Sequence, residues 1–281
     1  MYQPIVDHAH GEVCGFEALS RPVRGDSFIA PDVWFRTAYD QGRNVETDLL
    51  VLHHALTTRS MFPQPCVPVF VNVSPRSFLD PTFYTELVHQ FGRMPLRPND
   101  LVLEIVEYVL YNPEELLLAM RRIQSIGVRV AVDDLGQGTA DWDTVRLLNP
   151  DFVKVDRSYI DGISTSPSRQ KFVSAALSQV GPTRLIVEGI EVEDDLHMVQ
   201  ELGVELGQGY FWSEPREADE WATLLLQIRL KREQLFRTAD KCRGDLTHHD
   251  VLEQSKQLDQ LLNTYYRRQQ ERTGIEVRSG R

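Results

Sequence analysis

The sequence predicts an α/β protein closed as a (β/α)8 TIM-like barrel, and three observations predict it. Short apolar, β-branched runs alternate with helix-length segments over about 215 residues. Polar and acidic residues stand at the ends of successive runs, which a barrel would bring to one mouth. No glycine-rich dinucleotide fingerprint follows the first strand, which disfavours a doubly wound open sheet without removing it as the alternative.

The elements follow in chain order. The start, MYQPIVDHAHGEV, reads as a strand; it lacks the basic region and apolar core of a secretory signal, which implies a cytoplasmic protein. Buried strands are predicted at Val67 to Val73, Leu101 to Ile105, Val128 to Val132, Phe152 to Val155 and Leu185 to Val187. Helices are predicted at Pro81 to Phe91, Pro113 to Ile126, Ser168 to Val180 and Glu193 to Leu202, with Gly127, Gly181 and Gly203 as stops.

Composition narrows the function classes. The 281 residues are 42% hydrophobic and 25% charged, and no apolar run approaches the ~20 residues that span a bilayer. Cys14, Cys66 and Cys242 are odd in number and widely spaced, which argues against a disulfide framework and a zinc site. The net charge is −11. From Asp219 onward there are 12 Lys+Arg against 10 Asp+Glu, which leaves 18 against 31 in the preceding residues. So acidic a front disfavours duplex nucleic acid, yet it can take a phosphodiester if cations stand between.

Five consecutive strands end in chemistry: FVNVS in Asn72, LVLEIVE in Glu104, VRVAVDD in Asp133 and Asp134, FVKVD in Lys154 and Asp156, LIVEGIE in Glu188 and Glu191. Any one of these is readable as a helix N-cap or a solvated acid. Together they form an oxygen-rich set whose members cannot all ionise in one dry pocket without a countercharge. Hard divalent ions such as Mg2+ or Mn2+ suit such ligands, and a pair of them suits phosphodiester displacement.

The segments YQPIVD, GFEALSR, FVNVS, LEIVE, VDDLGQG, KVD, VEGIE and QGYFWSEP, in this order over about residues 1 to 226, resemble the EAL-domain cyclic di-GMP phosphodiesterases. The resemblance implies a barrel whose first strand is antiparallel, a homodimer, and hydrolysis of cyclic di-GMP to pGpG with two ions. It implies Glu17, Asn72, Glu104 and Asp133 as ligands of one metal, and Asp134 and Asp156 as contributors to the second. Glu188 resembles the general base, Lys154 the residue that steadies the nucleophile or phosphate, and Glu107 the acid bracing the loop after Asp134. Arg21, Gln208 and Glu191 resemble substrate-side contacts, Arg21 on phosphate. The chain departs from the family at Leu135, Gln137 and Thr139 of DDLGQGT, and at Ser20 and Glu214; an altered loop could lower turnover. A catalytically weak cyclic di-GMP receptor is therefore the alternative to an active enzyme.

Residues 1–218 are expected to form the barrel and 219–281 a separate helical hairpin. Trp221, Leu224, Leu225, Ile228 and Leu235 fall at helical spacing, as do Val251, Leu252, Ser255, Leu258, Leu262, Tyr265 and Tyr266, with a polar break from Arg237 to His249. Asp250 followed by Glu253 predicts a cap, and Gly274 a frayed end. The stretch around SKQLD resembles the small two-helix aspartyl phosphatases of sporulation response regulators, with Asp259 as the important acid. That resemblance implies a response regulator as partner, for dephosphorylation or for binding alone; a dimerising or barrel-capping hairpin is the plainer reading.

Overall fold

In the barrel strands, alternate side chains point inward, and the inward positions decide what the interior contains. The computed structural model describes residues 1–25, 27–62, 67–94, 96–106, 111–135, 142–242 and 245–267. Eight strands close into a barrel: β1 (Tyr2–Asp7), β2 (Glu12–Ala18), β3 (Val69–Val73), β4 (Leu101–Ile105), β5 (Arg129–Leu135), β6 (Phe152–Val155), β7 (Leu185–Val187) and β8 (Leu206–Gly207). The first strand is antiparallel to both neighbours, β2 and β8, and the other pairings are parallel. The closed barrel and the reversed first strand match the sequence reading.

The interior has two layers. At the end where the parallel strands begin, Ile5, Phe70, Val102, Ala131, Ile186 and Leu206 form one apolar cluster, with Phe152 and Cys14 against it. Two residues further along each parallel strand, the same inward register carries Asn72, Glu104, Asp133, Lys154, Glu188 and Gln208. The apolar plug makes the barrel a packed core, so the polar layer opens only toward the C-terminal strand ends. Between these inward positions, residues such as Val71, Leu103, Val132, Val153 and Val187 point outward and pack in the main core with the helices.

The α-helices among the described residues are, in chain order, α1 (Pro31–Asp40), α2 (Asn44–Arg59), α3 (Pro75–Leu79), α4 (Pro81–Arg93), α5 (Pro113–Gln124), α6 (Trp142–Leu148), α7 (Pro167–Val180), α8 (Glu193–Glu201), α9 (Ala218–Lys241) and α10 (His249–Arg267), and their boundaries follow their capping chemistry. Ser74, Asp80 and Asn112 accept backbone N–H groups in the first turns of Pro75–Leu79, Pro81–Arg93 and Pro113–Gln124, each with Pro near its start. Gly127, Gly181 and Gly203 all have positive φ at or just beyond helix ends, as the stop signals predict.

Several boundaries differ from the sequence reading: the opening segment read as one strand forms β1 and the start of β2 around a turn, the strand predicted from Val67 begins at Val69, and helix ends shift by one or two residues. Three further differences have a local cause. The fifth strand continues to Leu135 with a register shift after Val132, because Asp134 takes φ 55°, a left-handed conformation. The helix α9 (Ala218–Lys241) runs unbroken through the start of the polar break at Arg237. Glu233, between Arg229 and Arg237 at i,i+4 spacing, extends its charged face. The helix α10 (His249–Arg267) begins before Asp250, which sits inside the first turn; His248 supplies the carbonyl that caps Val251 and Leu252.

The start of α9 is also barrel structure. Ala218 and Trp221 are buried in the main core, and Trp221 Nε1 donates to the Tyr2 carbonyl at 2.8 Å while its ring meets Phe16 at 4.9 Å. Further on, Arg232 reaches Glu12, at the opposite end of β2 from Glu17. The hairpin partner α10 buries Val251 and Leu258, whereas Leu252 and Phe236 are exposed. The side chains of Leu262, Tyr265 and Tyr266, together with Cys66 and Gly274, lie outside the described residues.

The plug supplies a test of this packing. A Cβ at Gly15 would stand 2.6 Å from the Phe70 ring. Gly15→Ala is expected to cost about 1–3 kcal/mol by overpacking, measured by urea unfolding, and Phe70→Leu in the same chain should recover part of the loss. Additive losses would show that the two residues do not compete for this space.

Candidate active site

Lys154 is fully buried, and the carboxylates around it offset the cost of holding its ammonium there. Its Nζ lies 2.6 Å from Glu188 Oε1, 3.1 Å from Glu104 Oε1, 3.3 Å from Glu17 Oε2 and 3.3 Å from Asp133 Oδ1. These five side chains come from five strands, and barrel closure alone brings them together. Amides complete the layer: Asn72 Nδ2 donates to Glu17 Oε1 at 2.9 Å and Gln208 Nε2 to Glu17 Oε2 at 2.7 Å.

The electrostatics follow from one cation among four acids. Burial would raise the Glu17 carboxyl, but Lys154 and the donors Gln208 and Asn72 hold it below the ordinary range. For Glu104 and Glu188, burial prevails over Lys154 and the neighbouring acids add to it, so both stand well above the usual carboxylate range. Burial also raises Asp133. Asp134 is pushed up to about 6 by burial and then by Asp133, with Asp156 adding to the effect. Lys154 stays strongly basic because Asp133, Glu104, Glu17 and Glu188 outweigh the cost of burial.

The donor set is short of cations in a way that fits a metal. Asn72 Oδ1 and Glu104 Oε2 are buried and accept no hydrogen bond among the described residues, and Glu104 Oε1 has the Lys154 ion pair. Oxygens of Asp133, Asp134 and Glu188 lie within 4.8 Å of one another. Hard oxygen donors of this kind suit Mg2+, Mn2+ or Ca2+.

The remaining expected residues divide. Asp156 ends β6 and caps the turn that follows, accepting Ser158 N at 2.9 Å. Glu191 sits on the rim and pairs with Arg157 at 2.9 Å, away from the Lys154 cluster. Arg21 is exposed beyond β2, its guanidinium donating to the Ser20 carbonyl at 2.8 Å. Glu107 and residues 136–141 of the loop after Asp134 lie outside the described residues. Asp259 is exposed on α10, in the hairpin and apart from the mouth.

Sequence reasoning missed Gln3. It stands opposite Glu17 in the β1–β2 register, accepts from Gln208 at 3.0 Å and donates to the Ser213 carbonyl at 3.0 Å. The available signal was its position two residues from Ile5, an inward polar residue beside an inward apolar one, as on the other strands.

Residues 1–215 match the EAL domain family, and residues 224–267 match the family described as Spo0E like sporulation regulatory protein. A cyclic di-GMP phosphodiesterase of Pseudomonas aeruginosa is 30% identical over 233 residues, covering 79% of this chain and 39% of that protein. An uncharacterized signaling protein of Caulobacter vibrioides is 32% identical, covering 79% of this chain and 28% of that protein. The chain thus spans well under half the length of these curated relatives. Among solved structures, an EAL domain protein of Listeria monocytogenes superposes with a TM-score of 0.71 at 25% identity, covering 78% of this chain and 88% of that one. A manganese and cyclic di-GMP complex of Klebsiella pneumoniae BlrP1 gives 0.68 at 25% identity, covering 76% and 55%. No helix among the described residues is long and apolar enough to cross a membrane.

The raised carboxyls set the pH response of the metal-free protein. Glu104, Glu188, Asp133 and Asp134 bind protons more tightly folded than unfolded, so their stabilisation is complete at low pH and lost as pH rises through the folded values. The lowered Glu17 works in the opposite sense, in a window below its ordinary range. In chelator, Tm is expected to fall by on the order of a few degrees between pH 5 and pH 8, and Mn2+ should raise Tm more at pH 8 than at pH 5. A flat profile with equal metal effects would contradict the shared buried charge.

Proposed function

The chain belongs to the EAL domain family, and we propose that it hydrolyses cyclic di-GMP to linear pGpG with two divalent cations, Mg2+ or Mn2+. The observation that carries this reading is the buried layer in which Lys154 meets Glu17, Glu104, Asp133 and Glu188 beside Asn72 Oδ1 and Glu104 Oε2, which have no hydrogen-bond donor among the described residues. Glu17, Asn72, Glu104 and Asp133 would hold one cation, and Asp134 and Asp156 would contribute to the other. Such ions supply Lewis-acid polarisation of the phosphodiester and a lowered pKa for water.

The side chains carry the other roles. Glu188 takes the proton from the attacking water as general base, a task that suits a carboxyl whose proton affinity burial has raised. Lys154, in contact with Glu188, holds that carboxylate in place and steadies the nucleophile or a phosphate oxygen. Gln208 and Asn72 fix the Glu17 carboxylate through one donor each. Arg21 would turn from the Ser20 carbonyl to grip phosphate with its planar fork. Glu107 would brace the loop after Asp134. Homodimerisation, a cytoplasmic site of action and a barrel domain ending near residue 218 belong to the same reading.

A second reading concerns the hairpin and rests on the match over residues 224–267. The exposed position of Asp259 on α10 supports an encounter with a response regulator, either for dephosphorylation or for docking. Combined with a weak barrel, it would make the chain a cyclic di-GMP receptor that acts through its tail.

Two measurements test these readings. Product analysis with Mg2+, Mn2+ or chelator should give pGpG only with metal, and Glu188→Gln should lower kcat by about 10²- to 10⁴-fold; bound but intact cyclic di-GMP under every condition would favour the receptor. In a phosphorylated receiver-domain assay, Asp259→Ala should abolish phosphate release, and release at the unaltered rate would end the phosphatase reading.

A further inference from the structure

A cyclic dinucleotide carries two phosphodiesters, and only one of them can occupy the centre around Lys154 and Glu188 at a time. The other lies toward the rim, beyond the carboxylates assigned to the cations, where the exposed Glu191 adds a further negative charge. A second phosphate there needs a cation supplied by the protein.

Arg157 stands at that place. It follows Asp156 in the tight turn Arg157–Tyr159, whose backbone is tied by the Asp156 carboxylate to Ser158 and by the Asp156 carbonyl to Tyr159. Its aliphatic stem lies over Gly189, the residue after Glu188, so closely that a Cβ on Gly189 would overlap it. Gly189 has φ 74° and leaves this space open. At the far end, the Arg157 guanidinium pairs with Glu191 Oε1 at 2.9 Å, while the side chain stays 55% exposed. A guanidinium has five N–H donors, and one ion pair on one edge leaves others for an anion.

Resting on the reading of cyclic di-GMP as substrate, we propose that Arg157 binds the second phosphodiester of the cyclic dinucleotide, and that Glu191 is the positioning residue that holds its guanidinium on the rim. The stem on Gly189 sets the distance from the Glu188 carboxylate, and the Glu191 pair sets the direction of the fork. Glu191 therefore acts on the substrate through Arg157. The assignment also separates two phosphate contacts by place: Arg21 beyond β2, and Arg157 between the ends of β6 and β7.

The test measures binding apart from turnover. Cyclic di-GMP affinity of the full chain is measured calorimetrically in Ca2+, in a Glu188→Gln background, with Arg157 intact, as Arg157→Ala and as Arg157→Lys. Hydrolysis of bis(p-nitrophenyl) phosphate, which has a single phosphodiester, is measured with Mn2+ in the chain with native Glu188. Arg157→Ala is expected to weaken cyclic di-GMP binding by about 10-fold or more, Arg157→Lys by less, and the difference should shrink at high salt. Bis(p-nitrophenyl) phosphate hydrolysis should be unchanged in Arg157→Ala, which separates this role from disturbance of the reacting centre. Unchanged affinity, or an equal loss with the single-diester probe, would overturn the assignment, as would a chain that does not bind cyclic di-GMP at all. If the dinucleotide binds through Arg157 yet the chain with native Glu188 leaves it intact, the assignment of Arg157 stands and the phosphodiesterase reading falls.

Discussion

One buried ammonium among four carboxylates is the constraint on which the rest of this structure depends. Lys154 cannot be desolvated without Glu17, Glu104, Asp133 and Glu188, and those acids cannot share a dry layer without Lys154 or further cations. The layer exists because the inward positions of six parallel strands change from apolar to polar within two residues. Below that change the barrel is plugged by Phe70, Val102 and their neighbours, so the polar layer is closed off at that end. The same buried acids that make the metal-free centre electrostatically costly include a group, Asp133, Asp134 and Glu188, whose oxygens are close enough together to hold a metal ion.

The helix α9 gives the chain two working ends. Its first turns clamp the first two strands through Trp221, Tyr2 and Phe16, one residue before Glu17. Its later turns run past Glu12 at the opposite end of the barrel, where α10 packs on it. Lys231 of α9 donates to Gln257 of α10 at 2.8 Å, which places the exposed Asp259, two residues on, in the hairpin that α9 joins to the barrel.

Much of this was legible in the sequence, and the residues show why. Strands β4, β6 and β7 were predicted to the residue, because fully buried β-branched runs bounded by turns have little freedom of assignment. Asn72, Glu104, Asp133, Lys154 and Glu188 were recognisable because each ends such a run. The continuation of β5 was not, since a left-handed Asp134 is a conformation that side-chain type does not announce. Gln3 was missed because one amide in a short strand has no local signature; its importance comes from Gln208 and Ser213, about 200 residues away.

By itself, the sequence determined the alternation of strand and helix, the acid-rich character of the strand ends and the amphipathic tail, because these rest on local periodicity and residue chemistry. The tertiary structure alone decided which acids share Lys154, that Glu191 faces Arg157 instead of the central cluster, that Arg21 rests on its neighbour's carbonyl, and that α9 serves both barrel and hairpin. Those outcomes depend on barrel closure and on the stagger between strands, which set distances between residues far apart in the chain and which no local pattern encodes.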